Sequence, residues 1–143
     1  MNVPCLVDKT WHQAQTAAMI TTLLQVALGG AIGASARYLT STAVMRWIGP
    51  GFPYGTVLVN VVGSFLIGVL VVVLANKGGT RFAPFLMTGI LGGFTTFSAF
   101  SLDAFVLWER GQVGLAGAYV VGSVVISIAA LIGGILTMRG ILA

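Results

Sequence analysis

Charged residues make up only 7% of this 143-residue chain: seven basic side chains and three acidic ones. Soluble domains carry roughly 25% charged residues, so a water-facing surface cannot be built from this composition. The single cysteine, Cys5, excludes an internal disulfide and any multi-cysteine metal centre. The only histidine, His12, lies outside the first apolar segment. No nucleophile–base pair or metal-ligand cluster stands out, so nothing here supports an enzyme. The basic residues fall mainly at segment ends, where they meet lipid headgroups rather than form a nucleic-acid surface.

Apolar residues fill the gap that charge leaves: 57% of the chain is hydrophobic, and mean hydropathy is +1.03. The chain reads as an all-α integral membrane protein with four transmembrane helices of about 20 residues each. The first span is expected from Ile20 to about Trp47, and Gly49-Pro50-Gly51-Phe52-Pro53 breaks it. The second covers about Tyr54 to Ala75, and the loop Asn76 to Arg81 follows. The third runs from Phe82 to Trp108, and the fourth from Val113 to Met138. Residues 1–18 are too polar for a signal peptide and receive no role. Met19 opens the apolar run and is a candidate start, so 19–143 is read as a single four-helix transmembrane domain.

Lys9, Lys77, Arg81 and Arg139 lie on the side of the termini, against Arg37, Arg46 and Arg110 towards the other. That near balance removes the usual excess of cytoplasmic Lys and Arg that fixes orientation. It leaves both a dual insertion and a fixed one open. Twenty glycines, about twice the average frequency of ~7%, imply close helix packing. Gly29 and Gly33, with Ser35, mark a small face on the first span, and Gly63 and Gly68 another on the second.

Thr56, Asn60 and Ser64 are spaced four apart on the second span, as are Tyr119, Ser123 and Ser127 on the fourth. Each set shares one helix face, which favours a polar pathway over interhelical glue. Neither track contains Asp, Glu, Lys or His; Asp103 and Glu109 come late in the third segment. Neutral amide and hydroxyl donors suit a small anion, because they replace its hydration without trapping it. The segment Gly89 to Asp103, GILGGFTTFSAFSLD, is expected to break the third helix in mid-membrane through Gly92, Gly93, Thr95 and Thr96. Irregular backbone at that depth survives only where protein or a cavity surrounds it. Phe97 and Phe100 project from neighbouring positions of the resumed helix, and aromatic ring edges carry positive potential. Unwound carbonyls there can hold a hard cation.

Three stretches, GGAIGASARY (Gly29–Tyr38), YGTVLVNVVGSFLIG (Tyr54–Gly68) and GGFTTFSAFS (Gly92–Ser101), resemble the Fluc, or CrcB, family of fluoride channels. The likeness runs from about Gly29 to Ser127. Ala99 stands where the family often has threonine, and Asp103 where it often has glutamate. The resemblance implies passive, selective fluoride export through an antiparallel dual-topology homodimer with two pores in the cell inner membrane. It implies anion-coordinating roles for Phe97 and Phe100, and a pore amide in Asn60. Tyr119, Ser123 and Ser127 become its polar track, with Thr56 further along, and Arg37 stands near an aqueous vestibule. The carbonyls of Gly92 and Thr95 are implied to hold a structural sodium ion (Na+).

Two other readings remain open on the residues alone. A small dual-topology multidrug exporter also has four short helices, but should carry a membrane carboxylate in its first span. The first three-quarters of this one has none. A non-conducting membrane subunit leaves the two tracks and the break unexplained.

Overall fold

The structure, a computed structural model, describes residues 4–143, with side chains described from Trp11 onward except those of Lys77 and Thr80. The described chain is helical throughout, and four helices are long and apolar enough to cross a membrane. The first, α1 (Pro4–Ile48), has 45 residues, roughly 70 Å at the helical rise. It therefore includes most of the segment expected to stand apart as a leader. Between Pro4 and Gly29 no glycine or second proline interrupts a run rich in Ala, Gln and Leu, so nothing stops the helix there.

The expected breaker at 49–53 separates α1 from α2 (Tyr54–Lys77), with Gly49 at a φ of +95°. A left-handed Gly78 closes α2, and a short turn at Thr80–Phe82 leads into the third segment. That segment opens as a wide π-helical stretch, Pro84–Leu91, and continues as α3 (Gly92–Phe94). Thr95 and Thr96 are extended, and the helix resumes as α4 (Phe97–Glu109). Gly111, also at positive φ, turns the chain into α5 (Val113–Leu142). The four spans thus fall where apolar length and the Gly-Pro breakers put them, each within a few residues except at the start of α1.

Helix α2 packs mainly on α5, and α1 on the third segment. Both seams are made by backbone touching backbone. A Cβ added at Gly68 would collide with the Leu131 carbonyl, and one at Gly134 with the Phe65 carbonyl. Along the other seam, Gly29 and Gly33 lie against the carbonyls of Phe85 and Ile90. The glycine faces expected from sequence are therefore packing faces, where missing side chains let helices approach closely. Leu28, Leu39, Val121 and Leu136 point outward, which suits a lipid surround.

One expectation about the break needs correcting. Gly92 and Gly93 do not unwind the chain; Gly92 is helical (φ −64°, ψ −35°) and α3 spans both. Gly93 is small because a Cβ there would come 2.8 Å from the Gly30 carbonyl oxygen. The departure from helix is confined to the two threonines that follow.

Candidate functional site

Thr95 (φ −79°, ψ 157°) and Thr96 (φ −152°, ψ 118°) leave the helical ladder, and one side chain from α2 makes this tolerable. The Asn60 amide donates from Nδ2 to the Thr96 carbonyl at 3.0 Å. Its Oδ1 accepts the Thr96 N–H at 2.7 Å. The amide thus serves Thr96 as a neighbouring strand would. The Thr96 hydroxyl then accepts the Ala99 N–H at 3.2 Å and caps α4.

These bonds redistribute the carbonyls of the break. In an unbroken helix the carbonyl of residue i accepts the N–H of residue i+4. The Gly92 carbonyl would take the Thr96 N–H, which goes instead to Asn60. The Thr95 carbonyl would take the Ala99 N–H, which goes instead to the Thr96 hydroxyl. The pair that the family resemblance implies for sodium is thus among the carbonyls that the break deprives of their helical donors. Hard neutral oxygens of this kind fit a monovalent hard cation, and Gly92 lies on an exposed surface of the single chain.

Just past the break lies a cavity of about 300 Å³ lined by Asn60, Thr95, Thr96, Phe97, Phe100, Ser123 and Ser127, with two aliphatic side chains. Five of the seven residues singled out for the anion pathway meet here. The Phe97 and Phe100 rings lie 5.4 Å apart, centroid to centroid, inclined by 38°. Phe100 is buried and continues into the Tyr119 ring at 5.3 Å, whereas Phe97 is 77% exposed. Ser123 Oγ is buried and finds no hydrogen-bond partner among the described residues. A buried hydroxyl left unmet costs about 1–3 kcal/mol, so its position in this cavity is informative.

The other two, Thr56 and Tyr119, converge elsewhere. Thr56 Oγ1 donates to Asp103 Oδ2 at 2.6 Å, and the Tyr119 hydroxyl donates to the same oxygen at 3.4 Å. Thr56 and Asp103 line a second cavity of about 260 Å³ beneath the 49–53 loop, with Ser41 and Arg110. The lining is consequently not neutral throughout, as the tracks alone suggested: at this end a carboxylate gathers both hydroxyls. Arg37 reaches neither cavity. Its Nε–H donates to the Gly93 carbonyl at 3.1 Å.

The family profile described as CrcB-like protein, Camphor Resistance (CrcB), matches residues 24–135. The chain belongs to the CrcB family. Among similar proteins, one from Cereibacter sphaeroides named fluoride-specific ion channel FluC is 70% identical over 122 residues. That alignment covers 85% of this chain and 98% of the relative. Proteins of the same name from Ruegeria sp. and Paracoccus denitrificans are 57% and 55% identical, over 87% and 85% of this chain and 99% and 98% of theirs.

From the sequence of this CrcB protein Asp103 comes late in the third segment, with no partner indicated. Its carboxylate stands three residues after Phe100 on α4, and Thr56 stands one turn before Asn60 on α2. Those offsets were the available signal that the two meet one turn beyond the cavity. No comparable local signal linked Arg37 to Gly93, which is 56 residues away.

Proposed function

We propose that this CrcB-family protein is a fluoride-selective channel that passively exports fluoride from the cytoplasm and so lowers its toxicity. The observation that carries this reading is the cavity beside the break, which brings together two phenylalanine rings, an amide and a buried hydroxyl with no partner among the described residues. An anion entering it meets neutral donors and aromatic rings but no cationic side chain, so it is held weakly enough to leave. The names of the relatives supply the identity of the anion. Hydrogen fluoride crosses the membrane of an acid-exposed cell, dissociates in the more alkaline cytoplasm, and leaves as fluoride down its gradient.

The working unit in this reading is an antiparallel homodimer in the cell inner membrane, with two pores and the break of each third helix in mid-membrane. Phe97 and Gly92 are exposed in the single chain, which leaves them open to a second copy, and the near balance of basic residues permits both insertions. Phe97 and Phe100 coordinate the ion, Asn60 and Ser123 and Ser127 line its course, and Tyr119 and Thr56 continue it towards Asp103. Arg37 stands towards the vestibule end.

The Gly92 and Thr95 carbonyls of the two copies would hold a sodium ion, which would supply positive charge between the two breaks. Exhaustive sodium removal is therefore expected to lower both fluoride efflux and the melting temperature of the purified protein. If neither changes, the ion is not part of the assembly.

The reading is tested with sealed proteoliposomes under matched fluoride and chloride gradients, each followed by its own electrode. Fluoride release with chloride retained is expected, and intact protein that releases no fluoride overturns the proposal. Ser123→Ala is expected to reduce efflux roughly tenfold, about 1.4 kcal/mol at the barrier. It should leave the melting temperature unchanged or raised, because no protein hydrogen bond is lost. Unaltered efflux in that variant removes Ser123 from the pathway.

A further inference from the structure

We propose that Arg37 is a positioning residue for the break, acting through the Gly93 carbonyl and not only as a positive charge near the aqueous entrance. The argument starts from spacing. Gly29, Gly33 and Arg37 stand four apart and share one face of α1. At Gly29 and Gly33 this face lies in backbone contact with the third segment, against Phe85 and Ile90. One turn further on, the same face arrives at α3 with an arginine.

The partner it meets is a carbonyl that the break has orphaned. In a continuous helix Gly93 would accept the N–H of Phe97. Two extended threonines intervene, and Phe97 begins a separate helix. Arg37 Nε–H supplies the missing donor at 3.1 Å from a partly buried site. The glycine approach sets the geometry: α1 lies so near that the first nitrogen of the guanidinium, not its tip, makes the bond.

The division of carbonyls follows. Gly92 and Thr95 lose their helical donors to Asn60 and to the Thr96 hydroxyl. Gly93, between them, loses its own donor and regains one from Arg37. Arg37 thereby withdraws one carbonyl from the break and holds the ends of α3 and α4 in register with the cavity.

Side-chain chemistry separates this role from charge. Glutamine Nε2 sits the same number of bonds from the backbone as arginine Nε, so Arg37→Gln keeps the donor and removes the charge. Arg37→Lys keeps the charge and moves the donor one bond further out. Arg37→Met removes both. The full chain carrying each substitution is reconstituted for fluoride efflux and examined by amide hydrogen exchange over residues 92–99.

Arg37→Gln is expected to conduct within about threefold of the unsubstituted protein and to keep its exchange protection. Arg37→Lys is expected to fall roughly tenfold, with faster exchange confined to the break, as a partly buried carbonyl left without its donor demands. Normal conduction in Arg37→Lys with loss in Arg37→Gln overturns the proposal in favour of a purely electrostatic role. Unchanged exchange in Arg37→Met also overturns it. The efflux arm rests on the fluoride-channel reading, but the exchange arm does not. An unsubstituted protein that fails to release fluoride defeats that reading, and the exchange pattern still judges Arg37.

Discussion

Phe97→Ile is expected to cut fluoride efflux roughly 30-fold while dimer and melting temperature persist. The estimate follows from the scale of ion–ring electrostatics in desolvated sites, about 2 kcal/mol, at about tenfold per 1.36 kcal/mol. Isoleucine keeps the apolar contact and abolishes the ring edge. Phe97 gives the cleaner test because it is 77% exposed and contributes little packing within one chain. Phe100 is buried between the Phe97 and Tyr119 rings, so Phe100→Ile should lose similar flux and about 1 kcal/mol of stability as well. Liposome efflux beside thermal unfolding in detergent separates the two effects. Unchanged efflux in Phe97→Ile would remove the ring from any role as an ion ligand.

Asn60→Ala should have the largest structural effect of any single change at the site. It strips both the N–H and the carbonyl of Thr96 of their partners at once. A fully buried unmet group costs about 1–3 kcal/mol, and less at this partly buried site, so losing both partners costs roughly 2–4 kcal/mol, a large share of the stability of many domains. Low yield of folded protein, a large fall in melting temperature and absent efflux are expected together. Asn60→Asp should not rescue, because it keeps an acceptor for the Thr96 N–H but offers no donor to the Thr96 carbonyl. If Asn60→Ala keeps its melting temperature and loses only conduction, the amide serves the ion and not the backbone.

The spans were legible because apolar length and Gly-Pro punctuation are local signals, and α2 and α5 begin at the residues those signals mark. The tracks were legible for a similar reason: four-residue spacing carries Asn60, Ser123 and Ser127 to one cavity. What escaped was everything decided across the chain. Gly92 and Gly93 read as helix breakers from propensity, yet they are helical because α1 presses against Gly93. The break itself depends on Asn60, 36 residues from Thr96. Thr56 and Tyr119 fit their helix faces but answer to Asp103, a partner that no periodicity on α2 or α5 encodes. The extension of α1 before Ile20 escaped because polarity was taken to mark an end, whereas helix continuation needs only the absence of a breaker.

The glycine seams have a bearing on size discrimination. Gly63, one turn from Asn60, leaves no room for a methyl against Thr95, and Gly68 and Gly134 lock α2 to α5 further along. At Gly68 and Gly134 the spacing of α2 and α5 is set by main-chain abutment, which yields far less than side-chain rotamers do. In the fluoride-channel reading, admitting a wider ion by parting α2 from α5 requires moving whole helices rather than nudging a leucine aside.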